Sequence, residues 1–249
     1  MSAITTIRKL KAESILPDFR IVIVNDEQTR KDLGELRYAS YLDDHTIDPN
    51  PTGLYLDSYD QMNNSWSILA YSGDRPIGSL RLSFMQNGED PSRVPVGAVF
   101  RAEIQKYLDG DNPNSQTIHN AMEINRICRH PDFKQDGSVI YRLFQITDAI
   151  IANSDTEVIF GCFTKVHTRF YRNFGFETIA GPKHYKTMKM PEMYLVGVMR
   201  LSFVKMSQSS HEQTNGEFVD QAIKEWSKRV SFSYNPHGYY TDAYPSSEH

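Results

Sequence analysis

The segment AMEINRICRHPDFKQDGSV, residues 121–139, places the tightest constraint on how this chain can fold. Met122, Ile124, Ile127 and Val139 are apolar enough for a buried strand followed by a helix, yet Glu123, Arg126 and Arg129 lie in the same run. In a regular strand Glu123 and Asn125 face one side while Ile124 and Arg126 face the other. Glu123 and Arg126 share a side only where a β-bulge adds a residue to the strand. A bulge also frees backbone N–H and C=O groups to bind an extended ligand. Buried charges are costly unless paired, so this strand needs partner charges from elsewhere in the chain. Beyond it, Lys134, Gly137 and Ser138 lead into the next helix. A cation and a glycine before a helix N-terminus form a place where backbone N–H groups bind phosphate.

Strand and helix patterns surround this segment. Residues 18–25 (DFRIVIVN) are rich in β-branched side chains and predict a first strand. Residues 26–42 follow as a helix, with Asn25 or Asp26 as N-cap and Leu33, Leu36 and Leu42 at helical spacing. Trp66–Tyr71 and Ile77–Phe84 predict a hairpin turning at SGDRP. Residues 85–97 predict a loop and 99–109 a helix. Residues 122–128 predict a strand, 138–152 a helix, 157–163 a strand, 164–176 a helix stopping at Gly175, and 193–203 a last strand. Residues 207–216 suit a linker and 217–230 an amphipathic helix with Phe218, Ala222 and Trp226 on one side. The order β-α-β-β-(α)-β-α-β-α-β is that of a mixed α/β layer fold. A domain over residues 1–206 is expected, then an extension over 207–249.

The 249 residues carry a net charge of -4, which argues against nucleic acid as the main partner. That charge is uneven. Residues 126–189 hold ten Lys or Arg against six Asp or Glu, a basic region on an acidic protein that suits an acidic partner or a phosphorylated ligand. No run approaches the roughly 18 apolar residues of a membrane helix. The N-terminal residues lack the apolar core of a secretory signal. Cys128 and Cys162 make no disulfide framework, and no Cys/His spacing suits zinc. A reducing, cytoplasmic setting is expected.

The element order and the Lys134–Val139 loop resemble the GNAT acyltransferase superfamily, whose (Q/R)-x-x-G-x-(G/A) loop grips the phosphates of coenzyme A or phosphopantetheine. Lys134, Gly137, Ser138 and Val139 fall on that loop, with Lys and Val as departures. FYRNFGFE, residues 170–177, resembles the Y-x-x-x-G-F ending of the next helix and places Tyr171 beside the departing thiol. A narrower resemblance covers residues 20–200. Arg37 and Tyr41, Asp57 and Asp60, Arg81, then Glu123 and Arg126 fall in the order of acyl-homoserine lactone synthases, whose pattern is R-x3-F, E-x-D-x-x-D, a hairpin arginine, then E-x-x-R. Tyr55 replaces the first Glu and Tyr41 the Phe. These departures look more like the relatives that make long-chain N-acyl amino acids, such as N-acyltyrosine synthases. That resemblance implies a mixed, mostly antiparallel sheet flanked by helices and a C-terminal helical extension.

It also implies transfer of an acyl group from a thioester to an amine. No permanently bound cofactor is expected; the donor is the acyl-phosphopantetheine of an acyl carrier protein, with acyl-CoA as the other choice. The acceptor is an amino acid. An α-ammonium of pKa about 8 must lose a proton before it attacks, and Glu123 is the first choice for base. Bulge N–H groups would bind the oxyanion and Tyr171 would protonate the thiolate. Arg37, Tyr41, Asp57, Asp60, Arg81 and Arg126 would bind the acceptor or lock the N-terminal helix. Arg129, Lys134, Arg142, Lys165, Arg169 and Arg172 are candidates for docking the acidic carrier protein. A lipid product suggests peripheral membrane contact. The competing readings are an acyl-homoserine lactone synthase, a coenzyme-A-dependent acetyltransferase and a non-catalytic module that binds a carrier protein.

Overall fold

The computed structural model describes residues 19–200, except 153 and 186–188. Seven strands form one sheet in the order β1-β2-β3-β4-β5-β7-β6. They are β1 (Phe19–Ile23), β2 (Ser65–Ser72), β3 (Arg75–Gln86), β4 (Asn120–Arg129), β5 (Val158–Thr164), β6 (Glu177–Tyr185) and β7 (Met190–Met199). All neighbours pair antiparallel except β4 and β5. Among the described residues there are four α-helices: α1 (Glu27–Asp43), α2 (Gly97–Leu108), α3 (Gly137–Ala152) and α4 (Lys165–Tyr171). Asp26 starts α1 as expected. Its carboxylate accepts from Thr29 N at 2.7 Å while Thr29 Oγ1 accepts from Asp26 N at 3.3 Å, which satisfies otherwise orphaned helix N–H groups.

The two sheet faces differ. On one, Ile68, Leu80, Leu82, Met122 and Ile124 pack continuously against Val139, Leu143, Ile146 and Ile150 of α3. On the other, the apolar packing splits in two. Leu33, Leu36 and Tyr41 of α1 cover Leu69, Tyr71 and Cys128. Phe100, Ile104 and Leu108 of α2 cover Met85, Ala121, Val158 and Phe160. Between the two patches the strands present Ser65, Ser67, Arg81, Ser83 and Glu123, all buried. A buried polar strip needs internal partners, so this gap is where a site is to be sought.

β4 and β5 pair over only three positions, Ala121↔Val158 to Glu123↔Phe160. Past Glu123 both strands continue without ladder pairing to each other. The parallel ladder between the two strands thus stops at Glu123.

Close packing joins α3 to the sheet at Gly78. A Cβ built there would lie 2.5 Å from Val139 Cγ1. Val139, the departure from a small residue in the loop pattern, is thus accommodated by a glycine on β3. Gly78→Ala is expected to destabilise the protein by about 1–3 kcal/mol through overpacking. Adding Val139→Ala should recover most of that loss, as read by a double-mutant cycle in urea. An additive cycle would dismiss the pairing.

The sheet corrects the expected elements at its far edge. Residues 177–185 had no expected element, yet they form edge strand β6, and β7 begins at Met190 rather than 193. Pro182, Gly181 and three register irregularities break the alternation of β6, and edge strands tolerate proline. The expected loop over 85–97 contains the end of β3 and a 3-10 turn, Pro91–Arg93. The helix expected over 164–176 is α4 followed by a 3-10 turn, Arg172–Phe174, ending at Gly175 with φ of 81°. The linker, amphipathic helix and tail expected over 207–249 lie outside the described residues, as do residues 201–203 of the expected last strand.

Candidate active site

The polar strip is completed from above by the segment after α1. Asp57 caps a 3-10 turn, Ser58–Gln61, by accepting from Tyr59 N at 3.0 Å, and Asp60 accepts from Asp57 N at 2.9 Å. This reciprocal cap turns both carboxylates toward the sheet. Asp60 receives Arg37 Nη1 at 2.8 and 2.9 Å, Ser67 Oγ at 3.1 Å and Arg81 Nη1 at 2.9 Å. Asp57 receives Arg81 Nη1 at 2.6 Å, and Arg126 Nε and Nη2 at 3.0 and 2.7 Å. Arg81 Nε reaches Asn125 Oδ1 at 2.7 Å. The six charged residues expected to gather do so: Arg37, Asp57, Asp60, Arg81 and Arg126 form one ion network, and Glu123 lies at its edge.

Arg126 joins the network through the bulge. On β3 two steps separate Ser79 and Arg81, but their partners Cys128 and Asn125 are three residues apart. The extra residue places Arg126 at φ of 52°, a left-handed conformation uncommon for a side chain of this size. That strain puts Arg126 on the side of Glu123. Tyr55 lies over its guanidinium at 5.2 Å and packs edge-on against Tyr41 at 5.0 Å.

Burial decides the protonation states. Burial alone would raise Asp60, but Arg37 and Arg81 hold its carboxyl well below the ordinary range. Asp57 is lowered the same way by Arg81 and Arg126 against its burial. For Glu123 burial prevails. Its carboxyl is pushed up to about 7, although Val96 N–H, Arg81 and Arg126 pull it down. Val96 N donates to Oε2 at 2.9 Å, and Oε1 makes no hydrogen bond among the described residues. Glu123 can therefore take or give a proton near neutrality, as a general base must.

Tyr171 lies on the opposite face. Its ring stacks on Phe163 of β5 at 3.7 Å and packs against Phe144 and Phe176. Burial raises its phenol well above the ordinary value, so it holds its proton. The hydroxyl makes no hydrogen bond among the described residues.

The loop before α3 is engaged by its own protein. Lys134 Nζ meets Asp43 Oδ2 at 2.5 Å and Asp44 Oδ1 at 2.7 Å. Ser138 N donates to Asp136 Oδ1 at 2.8 Å, and Arg129 Nη1 donates to Asp136 O at 2.8 Å. Of the basic residues considered for docking, Lys165, Arg169 and Arg172 are exposed on and after α4, together with Val166 and Phe170. Arg129 and Arg142 are half-buried, and burial lowers both.

Sequence reasoning missed two groups here. Tyr59 faces Arg81 at 5.6 Å, and its hydroxyl donates to Ser92 O at 3.1 Å, roofing the strip. Val96 contributes only a backbone N–H, which leaves no signature in residue type. Tyr59 had one weak signal, its place between Asp57 and Asp60.

A family model described as N-acyl amino acid synthase FeeM matches residues 32–199. No curated protein matches the chain by sequence. Among solved structures, FeeM, an N-acyl amino acid synthase from uncultured soil microbes, superposes with a TM-score of 0.60 at 12% identity, over 75% of this chain and 93% of that chain. BjaI, a CoA-dependent acyl-homoserine lactone synthase solved with SAM and isopentyl-CoA, gives 0.52 at 14% identity over 83% and 99%. TofI, solved in a ternary complex with an inhibitor and MTA, gives 0.52 at 11% identity over 76% and 96%. At such identities these superpositions speak for the fold, which is GNAT-like as expected. The family match extends from α1 through β7 and includes every residue of the network. This chain belongs to the FeeM family of N-acyl amino acid synthases and is an acyltransferase.

Proposed function

We propose that this chain moves a fatty acyl group from the phosphopantetheine thioester of an acyl carrier protein to the α-amine of an amino acid. Glu123 carries the proposal. It is a buried carboxyl near pKa 7, with one oxygen held and one free, at the position where the pairing of β4 with β5 ends. Glu123 takes a proton from the α-ammonium. The amine attacks the thioester carbonyl, the C–N bond forms, the C–S bond breaks, and the leaving thiolate takes the nitrogen's second proton. Tyr171, expected as the proton donor, is stacked in the apolar core of the opposite face and is left out of this step. Backbone N–H groups freed by the bulge bind the oxyanion. Arg126, whose side chain is 7% exposed where those of Arg37 and Arg81 are fully buried, is the arginine of the network placed to meet the acceptor's carboxylate.

The donor assignment rests on the start of α3. Coenzyme A brings several phosphate charges, whereas a carrier-bound phosphopantetheine brings one phosphodiester. Asp43 and Asp44 already occupy Lys134, and Asp136 occupies the N–H of Ser138. These carboxylates oppose a polyanion at Gly137–Val139 more than a single phosphate. The exposed Lys165, Arg169 and Arg172 suit an acidic carrier protein, a cytoplasmic partner. The test is reconstitution with palmitoyl carrier protein or palmitoyl-CoA and a mixture of amino acids, followed by mass spectrometry. N-acyl amino acids formed at least tenfold faster from the carrier protein are expected. Equal use of palmitoyl-CoA would remove the donor assignment. Homoserine lactones formed from S-adenosylmethionine, with no N-acyl amino acid, would replace the reading altogether.

A further inference from the structure

The turn between β3 and α2 has no assigned part in the chemistry, yet it makes the one hydrogen bond to the Glu123 side chain among the described residues. It is held on several sides. Asp90 accepts from Ser92 N at 2.9 Å, Tyr59 Oη donates to Ser92 O at 3.1 Å, and Asn64 Nδ2 donates to Arg93 O at 3.2 Å. Val94 and Val96 are buried with Phe100 and Ile104. Gly97 lies so close to Pro91 that an added Cβ would sit 1.7 Å from its carbonyl oxygen. Only glycine lets the turn close this tightly, and the closure aims Val96 N at Glu123 Oε2, 2.9 Å away.

We infer that the Pro91–Gly97 turn is a positioning element for the general base, in which Val96 N–H fixes Glu123 Oε2 and leaves Oε1 as the oxygen that takes the acceptor's proton. This rests on the reading of Glu123 as base. The other groups acting on Glu123 are Arg81 from β3, Arg126 from β4, Asp57 and Tyr59 from the 3-10 turn, and Cys162 from β5. Of these, Arg81 and Arg126 favour the ionised form, and Asp57 opposes it. The Val96 bond favours the carboxylate, so its loss makes Glu123 harder to ionise.

Val96 has φ of -63°, which a proline ring matches, but it follows Pro95 in a turn closed by Gly97 N–H onto Val94 O, so Val96→Pro removes the donor and also strains the turn at Pro95. The experiment measures kcat against pH for the wild-type enzyme, Val96→Pro and Gly97→Ala, with Glu123→Gln in parallel. The acid limb, near pH 7 in the wild type, is expected to move up by about one pH unit or more, with the rate recovering at high pH. A variant that merely folds poorly loses rate at every pH. In the intact wild-type enzyme labelled with 15N-valine, the Val96 amide proton should titrate with a midpoint near 7 and stop doing so in Glu123→Gln. This second measurement stands even where both turn variants fail to fold. A Val96 amide that does not titrate, or folded variants with an unmoved acid limb, would overturn the inference while an inactive Glu123→Gln leaves the base assignment standing. A fully active Glu123→Gln would remove both.

Discussion

Replacing Glu123 with glutamine is expected to lower kcat by about 10²–10⁴-fold, the range for loss of a general base, while the protein stays folded. The side chains are nearly isosteric, and the glutamine oxygen can still accept from Val96 N. What disappears is the ability to take a proton. The variant should also gain stability at alkaline pH. Glu123 has its folded pKa raised from 4.5 to about 7 by burial. A group raised on folding contributes its stability fully below the unfolded value and loses it as pH climbs through the folded one. Wild-type stability should therefore fall between about pH 4 and pH 8 by about 3 kcal/mol from this group, and the variant should escape that fall. Urea denaturation of both proteins at pH 4.5 and 8.5 reads the difference, and kcat on the same samples reads the chemistry. Wild-type turnover in the variant would end the base assignment. A stability gap that does not widen with pH would mean that Glu123 is better solvated than its burial implies.

How far such a site can be read from sequence depends on how each residue contributes. Glu123 and Arg126 announced themselves because charges inside an apolar strand require partners, and the need for a bulge followed from the period of two. Arg37, Asp57, Asp60 and Arg81 were legible because their order matched a known pattern. Their geometry was not. That Asp60 takes Arg37 while Asp57 takes Arg126 depends on a reciprocal cap within Asp57–Asp60. The engagement of Lys134 by Asp43 and Asp44 was hidden by some 90 residues of separation. Val96 N–H could not be seen at all, since every residue but proline has one. Among the strands, β6 escaped because an edge strand with glycine, proline and half-exposed side chains has no alternation to detect.

The ion network should divide into a lock and a site when its two carboxylates are removed separately. Asp60 is only 5% exposed at its side chain, and its partner Arg37 is fully buried on α1. Taking Asp60 away leaves Arg37 without an anion, with its Nε already lacking a partner. Breaking a buried pair from one side costs about 3–5 kcal/mol, because a desolvated charge is left behind. Asp60→Ala should therefore lose that much in urea denaturation, a large share of the roughly 5–15 kcal/mol that holds a domain together. Asp57 is 21% exposed, so water can replace part of what it gives Arg81 and Arg126. Asp57→Ala should lose less stability but raise KM for the amino acid at least tenfold, because Arg126 loses the group that holds it. Arg37→Met with Asp60→Leu, which removes both charges, should recover most of the stability lost by Asp60→Ala, since an apolar pair carries no desolvation debt. If Asp60→Ala instead changes KM and leaves stability untouched, Asp60 belongs to the acceptor site and α1 is held by its leucines alone. If Asp57→Ala changes neither quantity, the carboxylate of the acceptor is bound elsewhere than at Arg126.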